Sequence, residues 1–231
     1  MSLLVWVTVV VGLVGIVVIG GLVALQGSAP KSIDVASLNA PPSGILGALA
    51  DGRTLGKAGA PVTLEVWSDF QCPICGQFAT LVEPALIRTY VAGGTLRIID
   101  HDGAFQGQRS TSAYDESVEA GAAARCAADQ NRYWPFHDWL FANQVGENQG
   151  AFRDARIRAM ATGAGLDVAT WDACRKTGQQ QAAVRAETGQ ALSQGVNATP
   201  TMHLNGQVIV GLRTAAELDA MIEAAAVATG S

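Results

Sequence analysis

Residues 70–76 read Phe70-Gln71-Cys72-Pro73-Ile74-Cys75-Gly76 and follow the strand-like run Val62-Thr63-Leu64-Glu65-Val66-Trp67-Ser68. Two cysteines separated by two residues, where a strand gives way to a helix, can alternate between dithiol and disulfide. A helix N-terminus carries partial positive charge and free N–H groups, so it favours thiolate over thiol at the first sulfur. In such motifs the pKa falls to roughly 3.5–7 from about 8.5, and the thiolate is the attacking form. Pro73 suits the first helical position, where its missing N–H loses no partner. The stretch predicts thiol–disulfide exchange through Cys72 and Cys75, with Phe70, Pro73 and Ile74 flanking the site.

Working outward, residue 73 opens a helix expected to run to about 91, kinked at Pro84. Gly93-Gly94 stops it, and residues 95–100 read as a second strand. A strand–helix–strand unit of this kind is normally parallel and right-handed. Helical patterns then cover 112–130, 134–143, 152–162, 169–176 and 181–194. Strands at 201–204 and 207–210 flank Asn205-Gly206, a strong hairpin signal. A closing helix over 214–226 has Thr214 as N-cap and Glu217 three residues on, a capping box. The layout is α/β, with a helical block of about 110–178 inserted in its middle.

Upstream, residues 3–25 hold no charged side chain and consist mainly of Leu, Val, Ile and Gly. As a helix this stretch spans about 34 Å, enough for a hydrocarbon layer of about 30 Å. No basic residue precedes it, and the best cleavage candidate, Gly27-Ser28-Ala29, would leave Pro30 at the new terminus. The segment is therefore read as a retained anchor within 1–26, followed by a Pro- and Ser-bearing linker over 27–54 and a folded domain over 55–231. Four cysteines behind a membrane segment suit an oxidising compartment, so the domain is expected outside the cytoplasm. Lys31 follows the span and no Lys or Arg precedes it, so charge gives no support to that orientation. The net charge of −5 falls wholly after residue 30 and speaks against nucleic acid as a partner.

Taken together, these features resemble the thioredoxin superfamily and, within it, its DsbA-like branch. Four landmarks match in order: 68–75 around the cysteines; Tyr133-Trp134-Pro135-Phe136-His137-Asp138-Trp139-Leu140-Phe141; Gly165-Leu166-Asp167-Val168; and Gly195-Val196-Asn197-Ala198-Thr199-Pro200-Thr201 leading into Leu204-Asn205-Gly206. The resemblance covers about 55–228. It implies a thioredoxin-like fold with Cys72 as exposed nucleophile, Cys75 as buried resolving cysteine, and Thr199-Pro200 as a cis-proline loop facing the sulfurs and substrate peptide. It implies no cofactor beyond the redox-active disulfide. Expected partners are exported proteins bearing cysteines and a membrane quinone-linked oxidase of the DsbB or VKOR type. One departure stands out. Many relatives place a buried carboxylate six residues before the first cysteine; here that position is Val66, and Glu65 should face the other side of the strand.

The same atoms run backwards would make a reductase or isomerase, and an anchored, non-redox peptide-binding module is a further alternative. Ile74 offers Cys72 neither charge nor hydrogen bond, so an oxidant of intermediate strength is expected. Cys126 and Cys174, 48 positions apart, read as a bridge pinning the insert, a second redox pair, or two free thiols. Neither has a Cys-x-x-Cys partner, which favours the bridge. Zinc is not expected, since there is one Cys-x-x-Cys pair and His101, His137 and His203 are scattered. Trp134, Phe136, Trp139 and Phe141 suit burial between insert and sheet at least as well as a substrate surface.

Overall fold

The computed structural model describes residues 33–42, 49–109 and 113–230. The anchor reading of 3–25 lies outside the described residues; among those described, no helix is long and apolar enough to cross a membrane.

Among the described residues, six strands form one mixed sheet: β1 (Ala50–Asp51), β2 (Thr54–Leu55), β3 (Val62–Ser68), β4 (Leu96–Asp102), β5 (Thr201–Leu204) and β6 (Gln207–Val210), in the order β1-β2-β4-β3-β5-β6. β3 and β4 run parallel, in register from Val62↔Leu96 to Ser68↔Asp102. β5 lies antiparallel on the other side of β3, and β6 pairs with β5 through the Asn205-Gly206 turn. Asn205 and Gly206 both have positive φ, at 46° and 86°, as a tight hairpin turn requires. β1 and β2 carry the sheet back to residue 50, inside the stretch read as linker. Residues 33–42 are also engaged: Leu38 is buried, and the Asn39 N–H donates to Asn143 Oδ1 at 2.9 Å.

Helix α1 is composite. α-Helical Pro73–Gln77 and Glu83–Leu86 alternate with π-helical Phe78–Val82 and Ile87–Val91. The wide turn before Pro84 is where a residue without an N–H can be taken into a helix, so the expected disturbance takes the form of a π turn. The insert holds α2 (Glu116–Ala128), α3 (Tyr133–Ala142), α4 (Asp154–Gly163) and α5 (Val168–Lys176). α6 (Gln179–Ser193) returns to the sheet, and α7 (Ala215–Ala228) closes the chain with the Thr214/Glu217 capping box formed in both directions.

The main core joins Val62, Leu64 and Val66 of β3 to Phe78 and Leu86 of α1, Phe136 and Leu140 of α3, and Leu218 and Ile222 of α7. α2 is mostly Ala and Gly and almost wholly buried, which lets it pack closely along α6; a Cβ on Gly121 would stand 2.8 Å from an Asp102 carboxylate oxygen and 3.0 Å from Val184. Cys126 and Cys174 form a disulfide between α2 and α5. Ions join the same parts: Glu187 of α6 pairs with Arg53 at 2.7 Å and with Arg125 of α2, and Arg125 reaches Asp102 of β4 at 2.6 Å. Burial favours the uncharged acid at Glu187, but bonds from His101 and Arg53 override it and hold the carboxyl well below its ordinary range.

Candidate active site

Cys72 sits at the N-cap of α1 in extended conformation, with Pro73 in the first turn, and Cys75 lies one turn inside. Both are free thiols. The Cys72 N–H donates to Asp69 O at 2.9 Å, closing the turn that leads from β3 into the helix. The largest influence on Cys72 is a hydrogen bond from the Cys75 thiol, which lowers its pKa. Burial opposes this, and the N–H groups of Cys75 and Ile74, with Thr199, add to the lowering; the net result is about 5. Burial pushes Cys75 the other way, well above the usual thiol range, and the neighbouring Cys72 sulfur reinforces it. One sulfur thus favours the thiolate and the other keeps its proton.

The Thr199–Pro200 peptide bond is cis. Cys72 Sγ lies 3.4 Å from Thr199 O, so the loop expected to face the sulfurs does so. Gly103, after β4, leaves room for this approach: a Cβ there would stand 2.7 Å from Thr199 Cγ2. Phe70 packs against Phe141 and, edge-on, against His137. Ile74 is half exposed beside the cysteines.

Two expectations need correction or completion. Cys72 is not an exposed nucleophile, being only 3% exposed, because Thr199 and the loop itself cover it; its enclosure is still shallower than that of Cys75. Val66 is buried in the core, and Glu65 faces away from it toward His101 at 3.4 Å, with β3 in regular register and no bulge. Directly across the ladder from Val66, Asp100 of β4 is buried and accepts from Tyr133. The aromatics of α3 are buried, as their spacing suggested, and His137 packs among them. His203 packs against Trp67.

Several residues that sequence reasoning did not single out hold the active-site turn. Gln144, just past α3, donates to Phe70 O at 2.6 Å and Cys72 O at 3.1 Å. Gly76 gives that side chain its space, because a Cβ would run into Gln144 Oε1. Gln71 donates to Ser117 Oγ at 2.8 Å and accepts from the Asn148 N–H at 2.5 Å. Asp69 is buried with its carboxylate bonded to Ser117 of α2. No grouping of His, Cys, Asp and Glu among the described residues could hold a metal ion.

A family profile described as Thioredoxin matches residues 49–224. The chain belongs to this thioredoxin family. Within it, the chain is 27% identical over 181 residues to disulfide bond formation protein D of Bacillus subtilis, covering 73% of this chain and 74% of that protein. The solved DsbA of Mycobacterium tuberculosis superposes with a TM-score of 0.62 at 28% identity, over 77% of this chain and 91% of that one. The Na(+)/H(+) antiporter NhaA 1 of Salinispora arenicola is 30% identical over 151 residues, which are 64% of this chain but 21% of the antiporter. The thioredoxin-family chain described here therefore spans about a fifth of that antiporter's length.

Proposed function

We infer that the chain is a thiol:disulfide oxidoreductase of DsbA-like type, and we propose that it introduces disulfides into exported proteins. The observation that carries this reading is the opposed state of two adjacent sulfurs: Cys72 held as thiolate at a helix start, Cys75 held as thiol behind it. In the oxidised protein a substrate thiolate attacks Cys72 Sγ. A substrate–Cys72 disulfide forms, the Cys72–Cys75 bond breaks, and Cys75 leaves as thiolate and takes up a proton, as its raised pKa favours. A second substrate thiolate then attacks the substrate sulfur of the mixed disulfide, and Cys72 departs as a stable thiolate. Two electrons have passed to the protein, and a membrane quinone-linked oxidase of the DsbB or VKOR type takes them away.

A Cys72 pKa near 5 lies between the roughly 3.5 of a strong oxidant and the roughly 7 of thioredoxin, which supports an oxidant of intermediate strength. The catalytic domain is placed on the extracytoplasmic side, anchored through residues 3–25; the disulfide Cys126–Cys174 supports an oxidising compartment. The test is Cys75→Ala in the native cell. It should leave mixed disulfides trapped on Cys72, with exported cysteine proteins among the captured partners. Capture of only a cytoplasm-fed reductant would reverse the direction to reductase or isomerase, and no capture at all would leave a non-redox peptide-binding module.

A further inference from the structure

We propose that Asp69 is a positioning residue for the thiol chemistry: its enclosed carboxylate fastens the turn that presents Cys72 and, through its charge, sets how readily that sulfur holds a negative charge. This rests on the oxidoreductase reading above and adds a residue to it.

Asp69 is the last residue before the active-site run and is only 2% exposed. Three donors from three parts of the fold meet its carboxylate. The Gln71 N–H reaches Oδ1 at 2.9 Å, the Gln106 N–H reaches Oδ2 at 2.8 Å, and the Ser117 hydroxyl stands 2.8 and 2.9 Å from the two oxygens. Its main chain serves the cysteines as well: the carbonyl accepts from the Cys72 N–H, and the amide N–H acts on the Cys75 sulfur. A loop staple alone needs no ionisable group in so enclosed a place, since an amide or hydroxyl could close the same turn. A carboxylate there brings a like charge close to the sulfur that must become a thiolate.

The charged and titratable groups around it are few. Cys72 on its own turn and Cys75 on α1 are the sulfurs it meets. From α2 it meets Ser117, which does not titrate. The neighbouring Asp115 is spent on the Val118 N–H, and Glu116 on the N–H groups of Gly150 and Phe152. The loop after β4 offers Gln106 through its backbone only. Burial raises the Asp69 carboxyl to about 6; its three hydrogen bonds oppose that rise and the Cys72 charge reinforces it. Two groups that repel and titrate close together lose their protons in steps that belong to the pair. As pH falls through the Asp69 step, the repulsion on the Cys72 thiolate disappears and the reduced form gains stability relative to the disulfide.

The experiment measures iodoacetamide alkylation of Cys72 against pH, and equilibrium with glutathione, on the full chain as wild type, Asp69→Asn and Ser117→Ala. Wild type should show two inflections. Asp69→Asn should lose the upper inflection and keep the lower one near pH 5, and at pH 7, where the wild-type carboxylate is charged, should move the glutathione equilibrium about tenfold toward the reduced protein. Ser117→Ala keeps the carboxylate but removes a donor, so the upper inflection should move to higher pH. An Asp69→Asn protein with wild-type profile and equilibrium overturns the proposal. Should that variant not fold, an unchanged profile in Ser117→Ala overturns it instead. Wild-type protein unable to exchange disulfides would defeat the function itself, a result separate from either of these.

Discussion

On the sulfur of Cys72 converge a helix start, a partner thiol and a proline-loop carbonyl, and burial works against their combined pull. The pH dependence follows from the sign of the result. The folded pKa, about 5, lies below the unfolded value of about 8.5, so the thiolate adds stability to the reduced protein in full above the unfolded value. That contribution declines as pH falls and is gone below about 5. We expect the Tm of the reduced protein, relative to the oxidised one, to drop between pH 8 and about pH 6.5 in calorimetric scans, before the Asp69 step begins to oppose the fall; a constant difference would contradict the assignment. At this scale the two cysteines and Pro200 were legible, because each sits in a local motif with a mechanical reason. Asp69, Ser117 and Gln144 were not. Their meaning comes mainly from partners 37 to 74 positions away, and nothing in the chain near Gln144 announces that it will reach Phe70 O.

Among the elements, legibility followed length and period. β3, β5 and β6 stand where alternation and the Asn-Gly turn placed them, and the helices of the insert differ from expectation only at their ends. β1 and β2 escaped notice because a two-residue strand has no period to detect. The ion cluster joining α6, α2 and β4 was equally hidden, since its members are scattered from 53 to 187. Glu187→Ala would leave Arg53, Arg125 and His101 facing one another around a partly buried gap. We expect a loss of about 2 kcal/mol in urea unfolding, between the values for exposed and buried pairs. Where α4 crosses α3, the ideal Cβ of an alanine at Gly163 would stand 2.5 Å from Trp139 Cζ2 and 2.6 Å from Cη2. A rigid ring in a filled core cannot step aside, so Gly163→Ala should cost about 1–3 kcal/mol in the same assay, and a neutral result would show that the helices can separate there.

For the molecule as a whole, polar ties between the insert and the thioredoxin layer include Arg125 in the Glu187 cluster, Tyr133 on Asp100, and Gln144 and Ser117 at the active-site turn, while Cys126–Cys174 ties the insert to itself. The bridge closes a span of 48 residues, worth about 4 kcal/mol at most by loop-closure entropy. Replacing both cysteines by Ala should lower Tm while leaving the pH profile of Cys72 alkylation where it was; a shifted profile would mean that the bridge reaches the chemistry. Gly103 offers the opposite kind of handle. A methyl group there would meet Thr199 Cγ2 at 2.7 Å, with Phe105 and the Ser68 carbonyl next at 3.3 and 3.4 Å. One added carbon would act as a wedge behind the proline loop, prising its carbonyl off the nucleophile. The reactivity of this protein could then be dimmed from the rear wall of its site, with the sulfurs and the dipeptide between them left intact.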